Sequence, residues 1–385
     1  MFLAINEIRH NRLRYALVVL VILLIAYLVF FLAGLSNGLA RENRSAIDSW
    51  KADEIVLSDD SNGTLAMSSL DPAQISAIRA THKATLSQRS AVVEKDADAS
   101  GSDDSSQKID ASLLGIASDG FLSPAVSDGR MFASDGEAVV DSTLASRYDV
   151  RLGDRLVVAR SGGKTVKVVG FTKDAQLSVA PVVYMSSATL AGLFSAGSES
   201  SNGTAASHGT AVSHGTAASG DATTSDGAVN AVVVRGTVRH APSNVSVSSV
   251  SDFIDDLPGY RAQVLTFGLM IGFLIGIAAM VVGVFVYVLT LQKRAVFGVM
   301  KAQGISDAFL GRSIVAQTMI LSLVGVIAGA AGTWGTSMAL PDAVPYRADP
   351  VVIALSGALL IASALTAALF SVSAMSRIDP VEAIG

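Results

Sequence analysis

The chain contains no cysteine, and charged side chains make up only 16% of it. Without cysteine, any part exposed outside a cell must fold without disulfides. Charge is missing altogether from four stretches: residues 15–40, 262–292, 313–341 and 351–376 hold no Asp, Glu, Lys or Arg. Each exceeds the roughly 20 apolar residues that a helix needs to cross a hydrocarbon core. With no charge inside these runs there is no sign of an ion or proton relay, which counts against an ion-coupled carrier. No Ser/His/Asp or Cys/His arrangement stands out, and no paired carboxylates sit in a recognisable frame, so there are no candidate catalytic residues.

The charge that is present is unevenly spread. Residues 41–260 hold 18 Lys and Arg against 27 Asp and Glu, while the remainder holds 10 against 6. Basic residues flank the apolar runs on one side: Arg9, Arg12 and Arg14 before the first, Lys293, Arg294, Lys301 and Arg312 between the second and third, and Arg377 after the fourth. By the positive-inside rule, both termini and the 293–312 loop are expected in the cytoplasm and the acidic region outside. An acidic exterior argues against nucleic acid as a partner. The N-terminal run is too long for the core of a signal peptide and lacks a convincing cleavage site, so an uncleaved anchor is expected.

These features predict an α-helical membrane domain of four transmembrane helices in a 1+3 order, with a large α+β extracytoplasmic domain between helices one and two. The expected divisions are an amphipathic cytoplasmic segment 1–14, helix one 15–40, the outer domain 41–260, helix two 261–292, a cytoplasmic helix 293–312, helix three 313–341, an outer loop 342–350, helix four 351–376 and a tail 377–385. Inside the outer domain, the segment 95–108 is acidic and Ser-rich and reads as a solvated loop. Residues 154–160 and 164–170 read as two β-branched strands joined by a Gly-Gly turn. Val179–Met185 reads as a strand whose Pro181 sits at an edge or a start. Residues 195–227 are low in complexity, with SHGTAVSHGT in tandem, and are expected to be disordered.

Several motifs need weighing. Ser161-Gly-Gly-Lys-Thr165 resembles the tail of a phosphate-binding loop, but it lies between two strands and Val158 stands where a glycine is needed, so a hairpin turn is expected. His208 and His214 have no carboxylate or cysteine companion, and no metal site is expected. Glycines recur at four-residue spacing as Gly34 and Gly38, as Gly268, Gly272 and Gly276, and as Gly325 and Gly329, which suits close helix contacts within one copy or between two. Tyr27, Phe30, Phe31, Phe267 and Met270 lie near the outer halves of helices one and two. With membrane-proximal Arg41, Glu42, Tyr260 and Arg261 they form a candidate substrate pocket, apolar with a polar lid. Each of the apolar residues taken alone reads better as lipid-facing or helix-packing bulk, and only the group suggests a pocket.

The stretch 294–330 and the terminal Arg377-Ile-Asp-Pro-Val-Glu-Ala-Ile-Gly385 resemble the permease domain of MacB/FtsX-type ABC transporters. In that family the loop follows E-x-G-[IVL]-[LM]-[KR]-A-x-G-[AI]-S; Phe297–Ser306 matches it, while the frequent Glu is absent, with Ala295-Val296-Phe297 in its place. Gly129-Arg-Met-Phe, Glu137-Ala-Val-Val-Asp, Val168-Val-Gly-Phe-Thr172 and Ala180-Pro-Val-Val-Tyr184 are similar to the DevC/HrtB branch. The resemblance implies a homodimer of non-catalytic permeases in the plasma membrane of a bacterium. It also implies a separate cytoplasmic ATPase, in two copies, that binds ATP and Mg. That ATPase would grip 293–312 as a coupling helix through Phe297, Met300, Lys301, Gln303 and Gly304. The cargo expected in a Gram-positive, HrtB-like case is haem or a similar amphiphile taken from membrane lipid, with no cofactor intrinsic to the chain. Aromatic faces would stack on the porphyrin and Arg41 or Arg261 would pair with propionates. Alternatives are an FtsX-like transducer that regulates a cell-wall hydrolase, and a permease handling lipids, lipoproteins or peptide antibiotics.

Overall fold

The computed structural model describes residues 12–96, 107–195, 229–292, 298–300, 303–304, 306–341 and 344–376. The expected segment 1–14 (except its last residues), most of 95–108, the low-complexity run beyond Ser195, His208 and His214, Phe297 and Lys301, and the tail 377–385 lie outside the described residues. The fold divides into two units, Met1–Ala40 with Ala262–Gly385, and Arg41–Arg261.

In chain order the elements begin with α1 (Arg12–Trp50), β1 (Glu54–Ser58), α2 (Pro72–Ala77), β2 (Arg79–Lys95), β3 (Ile109–Ile116), β4 (Val126–Gly129), β5 (Glu137–Asp141) and α3 (Thr143–Tyr148). They continue with β6 (Arg155–Val158), β7 (Thr165–Thr172), β8 (Gln176–Leu177), β9 (Ala180–Ser186), α4 (Ser187–Phe194), β10 (Ala231–His240), β11 (Val245–Ser249) and α5 (Val250–Asp255). The last three are α6 (Tyr260–Gln292), α7 (Asp307–Ala339) and α8 (Pro350–Ser376).

Helices α1, α6, α7 and α8 are long and apolar enough to cross a membrane. They pack through two apolar clusters. One joins Tyr15, Val18 and Ile22 to Val282, Val286, Leu310, Ile314 and Ala368. The other joins Ala26, Val29 and Phe30 to Ala278, Val326 and Leu360. Small residues set the spacing: a β-carbon on Gly325 would stand 2.5 Å from Ile22 Cγ2, and one on Gly329 would stand 2.8 Å from Ala26 Cβ. The absence of both side chains lets α1 and α7 approach at backbone distance. Ser306 occupies the N-cap position of α7, as its sequence suggests, but its side chain makes no capping hydrogen bond.

Helix α1 does not stop where its apolar run stops at residue 40. It has 39 residues, or about 58 Å at 1.5 Å per residue, far more than the roughly 30 Å of a hydrocarbon core.

The second unit is built on a sheet with the strand order β11-β1-β10-β2-β3-β9-β5-β7-β4, with β6 bridging β2 and β7 and β8 added to β9. Most neighbours are antiparallel; β3–β9 and β5–β7 are parallel. The hairpin expected over 154–170 is present: β6 and β7 pair antiparallel around Gly162 and Gly163, both at positive φ. Pro181 falls at the second residue of β9, a strand that pairs with both β3 and β5, so it marks a start and not an edge. The main core gathers Val93, Leu113, Val140, Leu156, Val168, Val183 and Leu190. Asp141 is buried at the end of β5 and accepts from the backbone N–H of Thr143 and Ala175. Burial pushes its carboxyl up, and those hydrogen bonds act against the rise.

Candidate functional site

Residues 41–50, the C-terminal turns of α1, are held by the strand-rich unit at several points. The backbone N–H of Ser178 donates to the Asn43 carbonyl at 3.0 Å, and that of Val179 to the Glu42 carbonyl at 3.0 Å. A carbonyl has two lone pairs, so a helical one can accept a second bond. Gln176 donates its N–H to Ser45 Oγ at 2.9 Å. Arg147 of α3 pairs with Glu42 at 3.3 Å, and both side chains are largely withdrawn from solvent. At the end of the helix Trp50 is fully buried, and its carbonyl accepts from Arg235 Nη2 at 2.8 Å while that guanidinium stacks on Phe121. These bonds tie residues 42–50 to β8, the β8–β9 turn, α3 and β10 within the strand-rich unit.

Ser178 and Val179 reach those carbonyls by adopting positive φ, +52° and +67°. For a β-branched residue this is a strained backbone, and such strain persists only where surrounding contacts impose it.

In the helical unit, α1 is covered around Phe31, Gly34 and Gly38 by the segment 344–347. The Tyr346 ring stacks on Phe31 with centroids 5.5 Å apart, and Phe31 stacks on Tyr27 at 6.1 Å. The Tyr27 hydroxyl shares a hydrogen bond with Thr336 at 3.1 Å. Arg347 donates its N–H to the Gly34 carbonyl. Gly34 and Gly38 are thus the floor on which Pro345 and Tyr346 rest.

The residues expected in one substrate pocket are divided over several surfaces. Tyr27 and Phe31 face Thr336 and Tyr346, whereas Phe30 is fully buried against Gly357 and Val326. Phe267 is half-buried, and Met270 is 48% exposed beside Phe273 at 71%. In the other unit, Glu42 is engaged by Arg147, Tyr260 is buried, and Arg41 and Arg261 are exposed. Gly268, Gly272 and Gly276 differ from the other glycine pairs: a β-carbon there meets nothing within 4 Å.

Of the expected coupling residues, Met300 packs against the cluster that contains Tyr15, Val286 and Leu310, and Gln303 and Gly304 are exposed, with Gly304 at φ +90°. Val299 and Phe309 are 51% and 56% exposed. Ser161-Gly-Gly-Lys-Thr165 is a hairpin turn whose Ser161 hydroxyl donates to the Val158 carbonyl, so its polar groups serve the turn itself. Among the described residues, no group of His, Asp or Glu is placed to hold a metal ion.

Comparison with known proteins agrees with this architecture. Residues 15–247 match the MacB-like periplasmic core domain, and residues 268–380 match the FtsX-like permease C-terminal domain. A Staphylococcus haemolyticus protein named as a hemin transport system permease protein, HrtB, is 24% identical over 385 residues, covering all of this chain and 99% of the relative. A protein of the same name from Staphylococcus epidermidis is 25% identical over the same span. An uncharacterized ABC transporter permease of Mycobacterium tuberculosis is 23% identical over 336 residues, or 86% of this chain and 84% of the relative.

Proposed function

We infer the function from the family: this chain belongs to the ABC transporter permeases that join a MacB-like periplasmic core domain to an FtsX-like C-terminal domain. In our reading it is the membrane subunit of an ATP-driven export pump whose cargo is haem or a similar flat amphiphile. The observation that carries the cargo is the end-to-end similarity to permeases named for hemin transport. Two copies work with two copies of a cytoplasmic ATPase, which supplies ATP and Mg binding. Both termini and the 293–312 segment face the cytoplasm, in keeping with the basic residues that flank the apolar runs there. Val299 and Phe309 are apolar side chains left open within that segment, as contact with a protein partner requires.

The hold on residues 41–50 supports a mechanical route. Closure of the ATPase pair shifts the helices, and α1 carries the shift into the strand-rich unit through Glu42, Asn43, Ser45 and Trp50. The cargo enters from the outer leaflet, where the open face of α6 offers Met270 and Phe273. The same joint would equally serve an FtsX-like transducer acting on a cell-wall hydrolase; similarity to the hemin permeases favours export.

A growth test decides between them. Coexpression of this chain with its ATPase in a haem-sensitive bacterium lacking an exporter should restore growth on hemin and lower cell-associated haem. Unchanged hemin tolerance, with both proteins present in the membrane, would remove the haem assignment.

A further inference from the structure

The strand-rich unit contains a cleft of about 540 Å³ bordered by β2, β3, the β6–β7 turn, the β8–β9 turn and the end of α4. That volume falls in the range of small-molecule sites, which are mostly apolar with a few convergent polar groups. Here the wall is largely Ala, Val, Leu and Phe residues, and two arginines line it as well, Arg89 and the exposed Arg160. Arg89 is half-buried, and its guanidinium lies 4.8 Å from the centroid of the Phe194 ring, so it is held in place before any ligand arrives. Asp110, exposed, also borders the cleft and leaves the two arginines in excess by one charge.

A second observation points to the same place. Arg160 and Ser178 line the cleft and both have positive φ, and Val179 beside them is strained as well. Strained non-glycine backbone concentrates at ligand sites and switches. The turn at 177–180 is also the one whose N–H groups hold Asn43 and Glu42 of α1.

We propose that this cleft binds an anionic amphiphile, a carboxylate or phosphate head on an apolar body, and that its occupant braces the turn that grips residues 42–45. The forks of Arg89 and Arg160 take the head, which matches their geometry, and Phe194 and Leu177 cover the apolar part. The proposal rests on residues of the strand-rich unit alone and does not depend on haem being the cargo.

Photolabelling of the full chain in lipid nanodiscs tests it. Three diazirine probes share one alkyl tail and differ in the head: carboxylate, phosphate and neutral alcohol. The charged probes should label peptides containing 89–92, 159–160 or 177–180 about tenfold more than the alcohol, as the loss of a charged hydrogen bond implies. Preference for one charged head identifies which anion the cleft takes. Arg160→Asn, at a position where Asn tolerates positive φ, should lower this labelling, and Arg89→Gln combined with it should reduce it to the alcohol level. Equal labelling by all three heads, no labelling of these peptides, or labelling unchanged in both variants would overturn the proposal. Arg160→Asn alone decides the matter if the double variant does not fold.

Discussion

Gly38 lies so close to the carbonyl oxygen of Pro345 that a β-carbon on it would stand 1.8 Å away. The 344–347 segment rests on this glycine and on Gly34, and nothing flexible can yield at Gly38 because the opposing atom is backbone. Gly38→Val should therefore displace the segment and destabilise the helical unit by about 1–3 kcal/mol, the usual range for overpacking. Gly34→Ala meets a tyrosine ring, which can rotate, and should cost less. Thermal unfolding in detergent compares the two. Equal tolerance of both substitutions would contradict the packing.

Gly272 sits on the open face of α6 and should behave in the opposite way. Gly272→Leu has room within one copy, so the melting temperature of the protomer should hardly change. If two copies meet through this face, the same substitution should lower the dimer fraction measured by crosslinking or native mass spectrometry. An unchanged dimer would place the contact between copies elsewhere.

In the Glu42–Arg147 pair Glu42 is the better shielded partner and Arg147 stays partly exposed, and the pair stands beside two backbone bonds from the strained turn. A double-mutant cycle with Glu42→Gln and Arg147→Gln should give a coupling of about 0.5–1 kcal/mol. Under the mechanical route proposed above, the functional effect should be larger than the stability effect. Each single variant should retain most basal ATPase activity in the permease–ATPase complex while transport falls. A parallel loss of both activities would argue for a purely structural role.

Glu137 is clamped by Arg130, whose Nη1 lies 2.8 Å from its Oε2, and by the N–H of Ala133 at 3.0 Å. The Arg130 hydrogen bond and then the Ala133 N–H hold its carboxyl down at about 2 against an ordinary 4.5. The folded value is depressed, so the stabilisation is complete above about pH 4.5 and is lost as pH falls toward about 2. Melting curves of the native chain and Glu137→Gln should differ near neutrality and converge across that window. A gap that persists to pH 2 would mean that the residue acts through shape and not through charge.

Much of this was legible in the sequence, for physical reasons that also explain what was missed. The four charge-free runs all form helices, because an apolar segment of that length has few other ways to satisfy its backbone. The 155–172 hairpin was legible from β-branched strands around a Gly-Gly turn. The continuation of α1 to Trp50 was not, because the charges from Arg41 onward mark the end of an apolar run but not the end of a helix. Asn43, Ala46, Ile47 and Trp50 do fall on one helical face, and all four are buried; that spacing was the available signal. Phe30 was grouped with Tyr27 and Phe31 by composition. Residues 27, 30 and 31 stand at i, i+3 and i+4 on one broad helix face; what divides them is the packing, Phe30 being buried against Gly357 and Val326 while Tyr27 and Phe31 stack in line with Tyr346. The hold of Ser178 and Val179 on α1 could not be read from spacing, because it joins segments some 135 residues apart and depends on backbone conformation.

The most direct measurement is the ATPase rate of the purified permease–ATPase complex in lipid nanodiscs, titrated with hemin while the absorption spectrum is followed. Saturable stimulation, with a Soret band showing bound haem at the same concentrations, is the result expected of a haem export permease. Hydrolysis that ignores hemin, with no spectral sign of binding, would contradict it.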